Sequence, residues 1–163
     1  MARKTKKHFL RKAFTLVELI AVMVVLAILA GVAAPRFFSY GDQARTAATE
    51  GSLGGVRSSI AQYYAMQATA GSAAYPTNTQ LATVGAVMQE SLPKNPYNGL
   101  STVNHITSLA DANNRVTAST DTYGWNYYYD NTTDPPVAIF WANSDDDTEV
   151  LDGNGDPITA NDL

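Results

Sequence analysis

The sequence predicts an α+β protein: a long N-terminal helix, membrane-spanning in its first half, packed against a small antiparallel β-sheet. Three observations lead there. Residues 14–34 are apolar apart from the polar Thr15 and one charge, Glu18. Beyond residue 42, apolar and small residues recur at three- and four-residue spacing. Late in the chain, two β-prone runs, 123–129 and 137–142, flank a turn-rich connection.

Charge is divided sharply along the chain. The first 13 residues hold Arg3, Lys4, Lys6, Lys7, Arg11 and Lys12, six of the eleven basic residues, and no acid. The remainder carries five basic residues against fifteen acidic ones. An acidic body argues against nucleic acid as a partner, because phosphate contacts need clustered Lys and Arg. A basic head beside an apolar segment instead holds that end in the cytoplasm. The chain has no cysteine, so neither a disulfide nor a thiolate metal site is available.

Residues 19–34 read LIAVMVVLAILAGVAA, without a charged or hydrogen-bonding side chain. With residues 14–18 the stretch spans roughly 30 Å as a helix, the thickness of the bilayer hydrocarbon. Membrane lipid is therefore its expected surroundings. A cleaved secretory signal or a plain anchor would also be apolar, but neither accounts for Glu18. An acid at this depth costs roughly 2.5–3.5 kcal/mol on insertion scales, which marks it as functional. The bland alternative places Glu18 near the headgroups.

The run Lys12-Ala13-Phe14-Thr15-Leu16-Val17-Glu18-Leu19-Ile20 resembles the prepilin leader motif of type IV pilins and type II secretion pseudopilins. That resemblance implies cleavage between Ala13 and Phe14 by a prepilin peptidase, then N-methylation of Phe14. The family usually has Gly where this chain has Ala13. Pro35 falls where the family commonly carries a helix-kinking proline. The resemblance also implies a role for Glu18: it would pair with the freed Phe14 amine of a neighbouring subunit, so that only the correct axial register neutralises both charges.

Four segments follow: a basic leader (1–13), a transmembrane or filament-core helix (14–35), an amphipathic continuation (36–70) and a globular β-domain with an acidic C-terminal tail (71–163). The continuation should bury Ala44, Ala47, Ala48, Leu53, Val56, Ile60, Tyr63, Tyr64 and Gln67 along one stripe and end near Ala70 and Gly71. Gly51, Gly54 and Gly55 weaken it, and close approach of a neighbour's backbone is one reason to keep them. A short helix is expected over 78–90. The steps Tyr75-Pro76-Thr77 and Leu92-Pro93-Lys94-Asn95-Pro96 are similar to the middle of major pseudopilins.

Residues 100–121 read as a polar loop with a short strand at 115–118. The runs 123–129 and 137–142 form an antiparallel hairpin, with Tyr123, Trp125, Tyr127 and Tyr129 alternating onto the face that meets the helix. A sugar-binding surface is the alternative use of those rings; core packing is favoured, because the domain has few other large apolar residues to bury.

Asp145, Asp147, Asp152, Asn154 and Asp156 supply hard-oxygen ligands, three of them in alternation, and the family resemblance implies a structural calcium ion late in the globular domain. Pro157 occupies the glycine position an EF-hand loop requires, so that motif is excluded; a solvated acidic tail is the alternative. Catalysis finds no constellation. His8 and His105 are the only histidines, and no nucleophile elbow, phosphate loop or zinc-ligand spacing occurs.

The chain is thus read as a structural subunit and not an enzyme. The resemblance implies a filament built from the bacterial inner membrane, with the N-terminus cytoplasmic and the globular domain periplasmic. Its implied partners are further copies, related pseudopilins, the prepilin peptidase and an inner-membrane assembly platform. A type IV pilus major pilin and a membrane-tethered binding module are the alternatives.

Overall fold

The computed structural model describes residues 14–118 and 122–163, the side chains of residues 35–39 excepted. The chain divides into two units, one ending at Ser39 and one of Tyr40–Leu163. One helix, α1 (Leu16–Thr69, 54 residues), contributes to both, and its helical backbone continues past Gly31 and Pro35. The proline therefore does not end the helix. Gly71 does: with φ +87° it takes the left-handed cap, and Ser72 N donates to Gln67 O at 3.0 Å while Gly71 N donates to Ala68 O at 3.1 Å. That pair of bonds satisfies carbonyls the helix would otherwise leave open.

In the second unit α1 buries Thr46, Thr49, Leu53, Val56 and Ile60. The predicted stripe is right for the last three and wrong at its start. Ala44, Ala47 and Ala48 are exposed, and two threonines take the inner positions. They can do so because their hydroxyls are satisfied. Thr46 Oγ1 accepts from Glu149 N and lies 3.2 Å from the Tyr97 hydroxyl, and Thr49 Oγ1 donates to Arg45 O. Gly51, Gly54 and Gly55 are exposed, with open space where a Cβ would sit.

The elements after α1 are α2 (Asn78–Ala82), β1 (Val103–His105), α3 (Leu109–Asn113), β2 (Trp125–Asp130), β3 (Val137–Ala142), β4 (Asp147–Leu151), β5 (Pro157–Thr159) and a 3-10 turn (Ala160–Asp162). The helix expected over 78–90 is only α2. A Thr77/Gln80 capping box starts it, and extended backbone at Thr83 stops it, followed by a turn around Gly85 (φ +84°). No strand forms at 115–118. The strand lies earlier, at β1, and α3 follows it, capped by the Ser108 side chain. Arg115, with φ +48°, turns the chain just where a strand was expected.

The predicted hairpin is present, with Trp125 opposite Ala142 and Asp130 opposite Val137. The sheet is mixed, however, because β1 joins the other edge of β2 in parallel, giving the order β1-β2-β3. The acidic tail is also structured: β4 and β5 form a second, two-stranded antiparallel sheet. Trp125 and Tyr127 are buried in one cluster with Phe140, Leu53, Val56 and Ile60, and Tyr129 packs against it. These rings are core, not a ligand surface. The opposite sheet face is covered as well, by Ala112 of α3 against Tyr128 and Trp141.

Asparagines close the polar side of the domain. Asn143 Oδ1 accepts from Ala118 N at 2.6 Å and Asn126 Nδ2 at 3.0 Å, while its Nδ2 donates to Tyr123 O at 2.7 Å. Fully buried Asn95 donates to Gly124 O at 2.7 Å. Gly124 itself has no room for a side chain. A Cβ there would strike the Leu100 carbonyl oxygen and lie 2.6 Å from its carbon. Truncating Asn143 to alanine strands Ala118 N and Asn126 Nδ2, while Tyr123 O keeps its bond from Asn98, and each buried unpaired group costs about 1–3 kcal/mol. Asn143→Ala should therefore lower unfolding free energy by about 2 kcal/mol, read by urea titration of the detergent-solubilised chain.

Candidate functional site

The site is the start of α1. Thr15 and Glu18 form a reciprocal cap: Glu18 Oε2 accepts from Thr15 N and from Thr15 Oγ1, both at 2.9 Å, and Glu18 N donates back to Thr15 Oγ1 at 3.2 Å. This is the T-x-x-E pattern that begins many helices, and it satisfies donors the first turn leaves open. It also gives the acid in the apolar run two local partners. Among the described residues no Lys, Arg or His pairs with Glu18. Phe14, four residues before it, is 82% exposed.

The helix that follows is unlike a surface helix of a globular protein. Residues Leu16–Ala34 have a mean hydropathy of 2.8 and none is buried. Val, Ile, Leu and Met side chains there stand half exposed or more on every side. An uncovered apolar cylinder of this length is stable only in lipid or against other apolar helices. Each of its larger side chains gains about 1.5–3 kcal/mol on leaving water. The segment is long and apolar enough to cross a bilayer once.

A family model described as the prokaryotic N-terminal methylation motif matches residues 9–34. The N-terminus is type IV pilin-like. The pilin-like match takes in the cut predicted between Ala13 and Phe14, the capped Glu18 and the whole apolar window. It implies processing by a prepilin peptidase and assembly into multimers, and it is a motif of structural subunits. It fits a single-pass inner-membrane anchor. No curated protein and no solved structure matches the chain. Ala13 and the basic leader lie outside the described residues.

The residues proposed for calcium are separated. Asp152, Asn154 and Asp156 form the β4–β5 tip, where Asp152 Oδ1 accepts from Asn154 N at 2.8 Å and Asp156 N at 3.0 Å. Asp147 opens β4 opposite Thr159. Asp145 and Asp146 line a different feature, a polar cleft of about 640 Å³ bounded by Tyr97, Asn98, Thr117 and Asn143. Among the described residues no three His, Asp or Glu side chains gather as a metal cage. Asp152 serves the turn through its hydrogen bonds. His105 stacks on Tyr129 at 5.0 Å, an ordinary structural contact.

The amides of Asp156 and Asn154 hold the Asp152 carboxyl below its usual 3.8. A pKa lowered by folding stabilises the turn above the unfolded value and is lost as pH falls through the folded one. The backbone amide shifts of Asn154 and Asp156 should accordingly titrate together, with a midpoint below that of an unperturbed aspartate, in a two-dimensional NMR series.

Sequence reading missed Thr15, which carries as much of the Glu18 geometry as the helix does. The T-x-x-E spacing was the available signal.

Proposed function

We propose that the chain is a type II secretion pseudopilin, a structural subunit drawn from the inner membrane into a short periplasmic filament whose growth drives export of folded proteins. The observation that carries this reading is an acid set inside an otherwise apolar, uncovered helix directly after a methylation motif. Removal of the leader at Ala13 frees an ammonium at Phe14, and N-methylation leaves it cationic. In the bilayer, Glu18 is held by Thr15; in the filament, it meets the Phe14 ammonium of the next subunit. A buried charge without a partner costs several kcal/mol, so only the register that joins the two is stable. The same helix serves as anchor and as filament core, because lipid tails and neighbouring helices are equivalent apolar surroundings. An assembly platform in the inner membrane and related pseudopilins are the partners this mechanism requires.

The reading as a pseudopilin rather than a pilus subunit rests on the resemblance of the mid-chain proline steps to those of major pseudopilins. Tyr127 Oη donates to Pro76 O at 2.9 Å and Trp125 Nε1 donates to Pro93 O at 2.8 Å, so both pseudopilin-like proline steps hold core rings. The lack of cysteine fits as well, since many pilus subunits close their C-terminal region with a disulfide. Mass spectrometry of the chain recovered from its native membrane should find Phe14 as the first residue, methylated. Recovery of Met1 in the working form rejects the proposal. Assembly into surface fibres, with no loss of secretion on deleting the gene, selects the pilus reading.

A further inference from the structure

The chain contains two Asn-Gly steps, Asn98-Gly99 and Asn154-Gly155, and the fold treats them in opposite ways. We infer that the tip of the β4–β5 hairpin is a self-modifying site at which Asn154 converts to aspartate and isoaspartate with water as the only co-reactant, while Asn98 is kept inert by its contacts. In the reaction the Gly155 nitrogen attacks Cγ of Asn154. The Cγ–Nδ2 bond breaks, the Gly155 N–H proton leaves with the ammonia, and water opens the cyclic imide at either carbonyl. No electron transfer is involved.

Asn98 cannot reach the required arrangement. Its Nδ2 donates to Tyr123 O at 3.0 Å and Asn143 O at 3.1 Å, and its Oδ1 accepts from Leu100 N at 3.1 Å. The attacking nitrogen is also engaged, since Gly99 N donates to Asn95 O at 2.7 Å. Swinging the amide would break its three bonds, and attack by Gly99 N would break the fourth. Asn154 is exposed, and its side chain has one bond, Nδ2 to Asp152 Oδ2 at 3.2 Å, itself in solvent. Gly155 N makes a longer bond, 3.1 Å to Asp152 O, and apart from Gly155 itself and its two chain neighbours no heavy atom stands within 4 Å of a Cβ position there. Such an exposed turn opens at little cost. Conversion replaces an amide–carboxylate hydrogen bond by two facing carboxylates, so the modified tip repels itself and loosens.

The test is peptide mapping of the full chain in detergent after prolonged incubation at mildly alkaline pH, with a urea-unfolded sample alongside. Incorporation of heavy oxygen from labelled water identifies conversion. In the unfolded sample both asparagines should be lost; in the folded one Asn154 should be lost and Asn98 retained. Gly155→Ala should slow loss at Asn154 and leave Asn98 unchanged. Loss of Asn98 at a rate matching Asn154 in the folded chain overturns the inference, as does survival of Asn154 where the unfolded chain converts it. None of these readouts depends on filament assembly.

Discussion

Glu18→Ala should insert into the membrane at least as well as the parent and fail to enter filaments. Removing the acid relieves an insertion cost of roughly 2.5–3.5 kcal/mol, so the membrane pool should not fall. In the proposed filament it would leave each neighbouring Phe14 ammonium buried and unpaired, a loss of about 3–5 kcal/mol per contact. That corresponds to at least about a hundredfold weaker addition at each step. Glu18 also caps α1, and alanine removes both roles. Glu18→Gln separates them, because glutamine at this position completes the same capping box without the charge. Glu18→Gln should therefore keep the helix start and still fail to assemble, as scored by shearing and sedimentation of filaments from cells producing the assembly machinery. Polymerisation of either variant at the parental level would remove the charge-pairing mechanism.

Gly124→Ala should be the most damaging single methyl group in the second unit. The added carbon meets main chain at Leu100, which cannot turn aside as a flexible side chain would. Gly124 also sits within a fixed frame: its nitrogen donates to Thr102 O, and its carbonyl accepts from Asn95 Nδ2 and Asn143 N. Relief of the clash requires displacing at least one of these bonds. Overpacking of this kind costs about 1–3 kcal/mol in a deformable core, and a rigid main-chain neighbour places this case at or above the upper end. A loss of about 3 kcal/mol or more in unfolding free energy is expected, measured by urea titration against the parent under the same detergent conditions.

What the sequence disclosed follows the range of the forces involved. The apolar helix, its cap at Gly71 and the hairpin built on Trp125 and Phe140 rest on local pattern, and local pattern was sufficient for them. The parallel pairing of β1 with β2 was not legible. Val103, Asn104 and His105 become a strand only because residues distant in sequence offer a free sheet edge. Thr46 and Thr49 misled for a related reason: their inner positions depend on distant or back-bonded partners that no spacing reveals. The acidic tail looked like a solvated or metal-binding segment because its charges hide an alternation. In β4, Thr148 turns inward while Asp147 and Glu149 face water. At the candidate site the acid was evident from its incongruity, and its hydroxyl partner was overlooked because a threonine beside an apolar run draws no notice.

Several ties in the second unit join its beginning to residues synthesised much later. Arg57 Nε donates to Phe140 O at 3.0 Å, and Glu149 N donates to Thr46 Oγ1 at 3.2 Å. Contacts of such separation form only after long loops have closed, which makes folding slow relative to helix formation. A nascent chain halted after α1 would present Leu53, Val56 and Ile60 to water with nothing to cover them. Folding of this polypeptide thus has a built-in order of events: the helix can form early, but the body that covers Leu53, Val56 and Ile60 is completed only when the last fifth of the chain has been made.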